Sequence, residues 1–350
     1  MGRSSGSGYD YSDDGRGSPN TGPLGETIQE TISQGDEVDE AYQNFVDGTQ
    51  LTDLQGETIS NRRDVLEEIL REEIGVTDSQ LIGSFTRETV VGPMSQDTDA
   101  DMMVVLDADQ HRQWIMQENG PRNCLRAIKR RIEDDPRFSE TNVSIDQNAV
   151  CVQYHDSTIE IVPAFDYNQV PHAEDPSQGL NPFDSQNDGY AIPDTHGQQS
   201  WVGTNPRRYK QQFEARNDAH NGKVAGLARS MKTWANNNNV PVRGYTMEVM
   251  VYNYFANKSK TGGRVPDNYH DLASDFVESL PNRMQQTTRE PIYNEPVDSG
   301  MSQAERREAV QKAQKAAEAL ETAQRLKQEG RTKAAKERLR EVYGDGFSDK

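Results

Sequence analysis

Three acidic residues and one glycine–serine pair are the residues of this sequence whose types and spacing suggest catalysis. Gly83-Ser84 follows a short apolar segment, Asp99 and Asp101 precede the apolar run 102–106, and Glu160 lies in the alternating run 159–162. Residues two positions apart on a strand project to the same side, so the two aspartates share one face of their strand. A glycine–serine turn after a strand presents backbone amides and a hydroxyl that can hold a phosphate.

Two carboxylates on one face, with a third on a neighbouring strand, are typical ligands of a hard divalent cation. Mg²⁺ binds one or two carboxylates together with phosphate oxygens. Glu160 fits the third position because both of its neighbours are isoleucines, which would face the opposite side of the strand. An isolated Asp-x-Asp pair in an acidic chain is more often solvated surface, so the prediction depends on the conjunction of these features. Asp97 is predicted to be a solvated loop residue.

The composition limits the class of partner. The 350 residues include 38 lysines and arginines against 57 acidic residues, a formal charge of −19. A chain this acidic is a poor candidate for binding along a nucleic-acid backbone, so long nucleic acid is not expected as a partner. The acidic excess suggests a halophilic host, whose salt would screen the repulsion.

The cysteine content and the hydropathy of the chain indicate a compartment. The two cysteines, Cys124 and Cys151, form no CxxC pair, which favours a reducing environment without disulfides. No apolar run is long enough to cross a membrane, and the N-terminus lacks the apolar segment of a signal peptide. We therefore expect a cytoplasmic protein with no membrane partner.

The chain is predicted to have an α+β, bilobal organisation. Residues 1–25 are rich in Gly, Ser, Asp and Pro and are expected to be a disordered extension. Residues 26–200 are expected to form a mixed β-sheet core with helices and a long surface loop over 167–200, and residues 201–350 a helical lobe. The active site is expected in the cleft between the two. The predicted helices are near 26–45, 61–73, 113–132, 207–237, 245–257, 267–286, 302–329 and 331–342. The predicted strands are near 80–83, 102–106, 143–145, 149–153 and 159–162, the last of which Pro163 should stop.

The motifs together resemble the polymerase-beta type of nucleotidyltransferase. The closer resemblance is to the cyclic-oligonucleotide synthases called CD-NTases, which are related to cyclic GMP-AMP synthase and oligoadenylate synthetase. The similar segments are Gly83-Ser84-x-x-Arg87-x-Thr89, Asp99-Ala100-Asp101, Ile159 to Ala164, Trp201 to Pro206, Leu227 to Trp234, Tyr245 to Glu248 and the tail from Ala334 to Phe347. They span about residues 55–347 in islands. The third acid departs from the family pattern, because Glu160 stands where the family usually has aspartate.

The resemblance implies a role for each candidate residue. Asp99, Asp101 and Glu160 would be the catalytic acids and would hold two Mg²⁺ ions, which Mn²⁺ could replace. Residues outside this trio would bind the nucleotide and its triphosphate, namely Gly83, Ser84, Arg87, Lys232 and Asp298. Arg87 could instead order the turn, Lys232 could be an exposed helix lysine, and Asp298 could be a capping or loop residue.

The activity that the resemblance implies is the joining of nucleoside triphosphates, ATP among them, into a cyclic oligonucleotide with release of pyrophosphate. The product would be a second messenger that acts on an effector protein in antiphage defence, and a regulatory partner could control the enzyme. One alternative is a template-independent RNA or tRNA nucleotidyltransferase, or a linear oligoadenylate synthetase-like enzyme. A second alternative is a non-catalytic regulatory protein that keeps the fold.

Overall fold

The protein has two lobes, one built on a mixed β-sheet and the other on helices, as a computed structural model shows. The structure describes residues 37–174, 189–195 and 200–347, so the predicted disorder of residues 1–25 lies outside the described residues. The strands are β1 (Val76–Leu81), β2 (Asp99–Leu106), β3 (Asn142–Asp146), β4 (Ala149–Gln153), β5 (Thr158–Asp166), β6 (Tyr190–Asp194) and β7 (Ser200–Thr204). The α+β class is confirmed.

Eleven α-helices and two short 3₁₀ helices, Pro136–Phe138 and Tyr167–Gln169, are seen in the described residues. The α-helices are α1 (37–48), α2 (Asp53–Ile74), α3 (Gly83–Thr86), α4 (Arg112–Met116), α5 (Gly120–Glu133), α6 (Pro206–Ala219), α7 (Lys223–Asn237), α8 (Gly244–Thr261), α9 (Tyr269–Gln285), α10 (Gln303–Gln328) and α11 (Thr332–Tyr343). None of the helices in the part of the chain that the structure describes is long and apolar enough to span a membrane.

The sheet places the two candidate acidic segments side by side. Its strand order is β1-β2-β5-β4-β3, and β6 and β7 extend from the end of β5. The central strands β2 and β5 are parallel, and Asp101 lies opposite Glu160 in their register. The alternate residues, such as Met102 and Ile161, are buried against α2 and α5. The alternation of side chains along each strand therefore directs the acids to the other face of the sheet.

Local sequence signals explain where α2 begins and ends. Thr52 and Gln55 form a reciprocal capping box at its start, and Gly75 ends it in the left-handed conformation, with φ 66°. The helix predicted over 61–73 is confirmed, but it begins earlier, at Asp53. The sequence-based start followed the apolar periodicity and did not use the capping signal.

The prediction that Pro163 stops its strand is wrong. β5 continues to Asp166, with Pro163 opposite Val104 of β2. On its other side β5 pairs with β4 as far as Ile161 and with β6 from Phe165 onward. Pro163 therefore lies between two pairing partners, at a point where its missing N–H removes no ladder hydrogen bond.

Several other segments differ from their predicted boundaries. The strand predicted near 80–83 begins earlier, at Val76, and ends at Leu81, because Gly83 with its positive φ begins α3. The helix predicted near 26–45 continues to residue 48.

The helix predicted over 113–132 is two helices, α4 and α5. The helix predicted over 207–237 is divided into α6 and α7 at Asn221 and Gly222, both of which have positive φ. The predicted loop 167–200 contains β6 and the first residue of β7; within it, 175–188 and 196–199 lie outside the described residues.

The helical lobe has its own core, and α1 is part of it. Tyr42 and Phe45 of α1 pack against Tyr343 and Phe347 near the end of the described chain. The hydroxyls of Tyr42 and Tyr343 also form a buried hydrogen bond of 2.5 Å. The predicted grouping of residues 26–200 did not anticipate this contact, because the partners are about 300 positions apart.

Candidate active site

A cleft of about 580 Å³ separates the two lobes and gathers most of the candidate residues. The sheet lobe contributes Gly83, Ser84 and Arg87 together with the three acids. The opposite wall of the cleft belongs to the helical lobe and includes Asn205, Tyr209, Lys232, Tyr245 and Glu248. Both walls carry charge, so the cleft suits a polar, charged ligand.

Asp99, Asp101 and Glu160 form one acidic edge of the cleft. Asp101 and Glu160 are half-buried, whereas Asp99 is the most exposed of the three. Burial raises the pKa of Asp101 to about 6. Burial, followed by the charges of Asp101 and Asp99, raises the pKa of Glu160 to about 7. These carboxylates repel one another and so favour a proton or a cation between them.

The glycine–serine turn is packed directly on this edge. Gly83 has a φ of 67°, and a Cβ atom built there would lie 1.8 Å from Oδ2 of Asp101. Both the backbone conformation and the space therefore require glycine at this position. The Ile82 amide donates to the Asp101 carbonyl over 2.9 Å and ties the turn to β2. Ser84 is consequently held beside the acids at the base of the cleft.

The acidic edge fits a divalent cation of the magnesium class. Its three side chains offer only carboxylate oxygens, and none forms an ion pair within the described ranges. Within those same ranges, no three or more His, Cys, Asp or Glu side chains, these acids included, are grouped closely enough to hold a metal ion by themselves. An open edge agrees with Mg²⁺, which keeps water and phosphate among its ligands. Asp99, Asp101 and Glu160 are therefore the residues that could hold it.

Glu248 forms a buried network in the wall opposite the acids. Its Oε1 accepts from Arg87 Nε over 2.6 Å, and its Oε2 accepts from Lys232 Nζ over 3.1 Å and from the Thr89 hydroxyl. Burial alone would raise the pKa of Glu248, but Lys232, Arg87 and the hydrogen bonds lower it to about 2. Glu248 is therefore a carboxylate whose charge the protein itself compensates.

Arg87 and Lys232 both reach the cleft, but each is also engaged by the protein. The Arg87 guanidinium lies 4.7 Å from the centre of the Tyr209 ring. Lys232 Nζ donates to the Thr89 carbonyl over 2.9 Å in addition to its contact with Glu248. Lys232 is buried, so the alternative of an exposed helix lysine is wrong. Its predicted phosphate contact, and that of Arg87, stay predictions.

Asp298 is not brought together with the other candidates. It lies in a neighbouring pocket with Arg243 and Glu305. Its Oδ2 accepts from the Thr288 amide over 3.1 Å and from Arg306 Nη2 over 2.9 Å. These contacts fasten the chain between α9 and α10, which corresponds to the loop role that the sequence left open. Its predicted nucleotide contact stays untested.

Sequence reasoning did not assign a role to several residues of the cleft. Tyr245 and Glu248 lie three positions apart on α8 and face the cleft together. A signal for Glu248 was present, because a single acid interrupts the apolar stretch 247–251 of that helix. Tyr293 also lines the cleft, from the segment between α9 and α10. That segment has no helix or strand periodicity, so the sequence provided no signal for it.

One protein-family model matches the part of this chain that contains the sheet lobe. Residues 37–217, just over half of the chain, match the family described as the Second Messenger Oligonucleotide or Dinucleotide Synthetase (SMODS) domain. A curated relative, a probable cyclic nucleotide synthase of Bacillus cereus, is 27% identical over 201 residues. That match covers 50% of this chain and 55% of the relative, so the chain spans about half the length of the curated relative it matches.

Solved structures share the overall architecture. E. coli CdnC determined with ATP has a TM-score of 0.63 at 14% identity, over 88% of this chain and 98% of CdnC. The Bradyrhizobium diazoefficiens CD-NTase CdnG in complex with GTP has a TM-score of 0.63 at 12% identity, over 89% and 96%. Vibrio cholerae DncV, a cyclic AMP-GMP synthase, has a TM-score of 0.55 at 14% identity, over 94% and 91%. At these identities the likeness establishes the fold, a nucleotidyltransferase fold with a mixed sheet and a helical lobe.

Proposed function

The chain belongs to the family of second messenger oligonucleotide or dinucleotide synthetase domains, a family of nucleotidyltransferases, and from this premise we propose a specific reaction. The protein joins nucleoside triphosphates into a cyclic oligonucleotide, releases pyrophosphate and depends on Mg²⁺. The name of the Bacillus cereus relative, a probable cyclic nucleotide synthase, supports a cyclic product.

One observation carries the proposal, namely the position of Asp101 beside Glu160 in the parallel register of β2 and β5. Both carboxylates face a cleft whose base is the Gly83-Ser84 turn. A triphosphate held at this turn would have its α-phosphate near the acids. In the reaction, a sugar hydroxyl oxygen forms a bond to the α-phosphorus, the bond from that phosphorus to the pyrophosphate oxygen breaks, and the hydroxyl proton is released.

The chain's own residues would divide the work of this reaction. Asp99, Asp101 and Glu160 would hold Mg²⁺, which supplies Lewis-acid polarisation and lowers the pKa of the attacking hydroxyl. Ser84 would orient the triphosphate, and Lys232 would attract its charge from the opposite wall. Burial raises the pKa of Glu160 to about 7 in the metal-free protein, so Mg²⁺ would compete with a proton for this carboxylate near neutral pH.

Related structures support small nucleotides as substrates. CdnC was determined with ATP and CdnG with GTP, and DncV was determined with a linear intermediate made of adenosine and guanosine nucleotides. The charge of −19 agrees with this substrate class, because long nucleic acid would be repelled. The product would act on an effector protein, and such signalling would serve antiphage defence, as the resemblance of the motifs implies.

Incubation of the full chain with labelled nucleoside triphosphates would test the proposal. The reaction is run in high salt with Mg²⁺ or Mn²⁺, and Asp101→Asn serves as the inactive comparison. Phosphatase-resistant products with the mass of a cyclic oligonucleotide would support it. Extension of added RNA would favour the RNA nucleotidyltransferase instead, and linear products alone would favour an oligoadenylate synthetase-like enzyme. Turnover that is absent from the wild type and from the variant alike would favour a regulatory protein.

A further inference from the structure

Glu248 accepts hydrogen bonds from three donors that lie on two separate segments of the chain. Arg87 and Thr89 lie in the segment that follows the glycine–serine turn of the sheet lobe, whereas Lys232 lies on α7 and Glu248 on α8 of the helical lobe. The Glu248 side chain is fully buried, and those of Arg87 and Lys232 are 5% and 9% exposed. One carboxylate therefore fastens the turn to the opposite lobe.

The charges of this network do not balance. Two cations, Arg87 and Lys232, are buried with one anion, Glu248, so the hydrogen-bonded network by itself carries one net positive charge, and Asp101 of the acidic edge is a further anion that interacts with both cations. All three residues line the cleft. The surplus charge thus lies where an anionic ligand would enter, and a buried charge attracts such a ligand more strongly than a solvated one does.

We propose that Glu248 is a positioning residue for the phosphate tail of the nucleotide. By accepting from Arg87, Thr89 and Lys232 together, it holds the segment after the glycine–serine turn against the helical lobe and leaves one net positive charge beneath the cleft. The inference rests on the proposed function, because its ligand is the triphosphate of that reaction.

The alternative is that Glu248 forms an ion pair that only stabilises the fold. The protonation state of Lys232 distinguishes this structural role from the positioning role. Lys232 is faced by Glu248 from α8, by Arg87 from the segment after α3 and by Asp101 from β2. Tyr209 of α6 faces the same network. Burial lowers the pKa of Lys232, and Glu248 is the main group that opposes this effect. Without the Glu248 charge, Lys232 loses its proton at a lower pH and the surplus positive charge disappears.

Binding of inorganic tripolyphosphate to the full-length protein tests the proposal without any turnover. Affinity is measured by calorimetry at about pH 6 and about pH 8.5, at constant salt, for the wild type, Glu248→Gln and Lys232→Gln. The ionisation of tripolyphosphate changes over this pH range. The affinity of each variant is therefore divided by the affinity of the wild type at the same pH. Glu214→Gln on α6, a glutamate that pairs with Lys210 at the surface, is the matched control and should show a ratio near one.

Among the variants, only Glu248→Gln is expected to have an affinity ratio to the wild type that changes with pH. At the higher pH it should bind about tenfold more weakly than the wild type, as Lys232→Gln does at both pH values, because the phosphate then loses one charged hydrogen-bond donor. At the lower pH a larger fraction of Lys232 is protonated, so Glu248→Gln should recover to within about threefold of the wild type.

The outcomes distinguish this inference from the proposed function. A Glu248→Gln ratio that stays constant with pH, or a wild type that does not bind tripolyphosphate, would overturn the inference. The expected binding pattern without any nucleotide product would contradict the proposed function alone. If Glu248→Gln does not fold, as judged by circular dichroism, Glu248→Asp decides: it keeps the charge, so its binding should be weaker than wild type but its ratio constant with pH.

Discussion

The cleft contains two sets of carboxyl groups whose pKa values are shifted in opposite directions. On the acidic edge, Asp101 and Glu160 have pKa values raised to about 6 and about 7. In the opposite wall, the pKa of the fully buried Glu248 is lowered to about 2. The difference comes from their neighbours, because Glu248 is paired with two cations whereas the acidic edge forms no ion pair within the described ranges.

This comparison separates a carboxylate that the fold satisfies from carboxylates that need an external partner. A protein loses stability when it places like charges together, and such an arrangement is characteristic of sites where charge is used in a reaction. Glu248 stabilises the structure around the site, whereas Asp101 and Glu160 require a cation or a proton. The predictions below test this division, beginning with the largest expected effect.

The first prediction concerns the acidic edge. Asp101→Asn removes a charged ligand without changing the volume of the side chain, so the turnover number should fall by about a thousandfold. Product formation from labelled nucleoside triphosphates in saturating Mg²⁺ measures the effect. Asp97→Asn is the matched control, because Asp97 is an exposed acid of the same segment and should change turnover by less than about threefold. Equal loss in both variants would contradict the assignment of the edge.

The second prediction concerns the compensated carboxylate. Glu248→Ala leaves Arg87 and Lys232 buried without their anion, which should lower the free energy of unfolding by about 3 kcal/mol. Urea denaturation followed by circular dichroism measures this quantity at neutral pH. Glu214→Ala breaks an exposed pair with Lys210 and should cost less than about 1 kcal/mol. A cost for Glu248→Ala as small as that of Glu214→Ala would show that the network is not a structural unit.

Local sequence patterns predicted most of the elements and the acidic edge. Alternation in 159–162 and the apolar run 102–106 predicted two strands with their acids on one face, and the structure has both. Capping and helix-stop signals also act within a few residues, as Thr52 and Gln55 show at the start of α2 and Gly75 at its end. The spacing of Asp99 and Asp101 on a strand is likewise a local property.

Features that depend on distant contacts could not be predicted in the same way. Arg87 and Glu248 are 161 positions apart in the chain, and no periodicity in either segment indicates that they meet. The packing of α1 against Tyr343 and Phe347 is a similar case. Pro163 misled the prediction because its effect depends on which strands lie beside it, and strand order is a property of the whole sheet.

The third prediction uses the raised pKa of Glu160. Its folded pKa of about 7 lies above its ordinary value of 4.5, so the folded protein keeps a proton that the unfolded chain has lost between these values. The stability that this group contributes is therefore present below about pH 4.5 and is lost as the pH rises through about 7. In metal-free buffer, Glu160→Gln should be more stable than the wild type by about 1 kcal/mol at pH 8, after allowance for solvent screening.

Thermal unfolding of both proteins at pH 5 and pH 8 measures this difference. At pH 5 the advantage of Glu160→Gln should be absent, because Glu160 is then mostly protonated in the wild type. Saturating Mg²⁺ should also remove the advantage at pH 8, since the wild type would gain binding energy that the variant lacks. A stability difference that is the same at both pH values would indicate that Glu160 is not repelled by its neighbours.

The smallest effect is expected at Asp298, a buried carboxylate of which only Oδ2 accepts hydrogen bonds from the residues that the structure describes. Asp298→Asn weakens the contacts to the Thr288 amide and Arg306, so it should lower the free energy of unfolding by about 1 kcal/mol. Because Asp298 lies in the neighbouring pocket, the KM for ATP should change by less than about twofold. Steady-state kinetics and urea denaturation on the same preparation measure both quantities. A KM raised tenfold at unchanged stability would instead support the nucleotide contact predicted from the sequence and would place Asp298 with the residues that need a ligand.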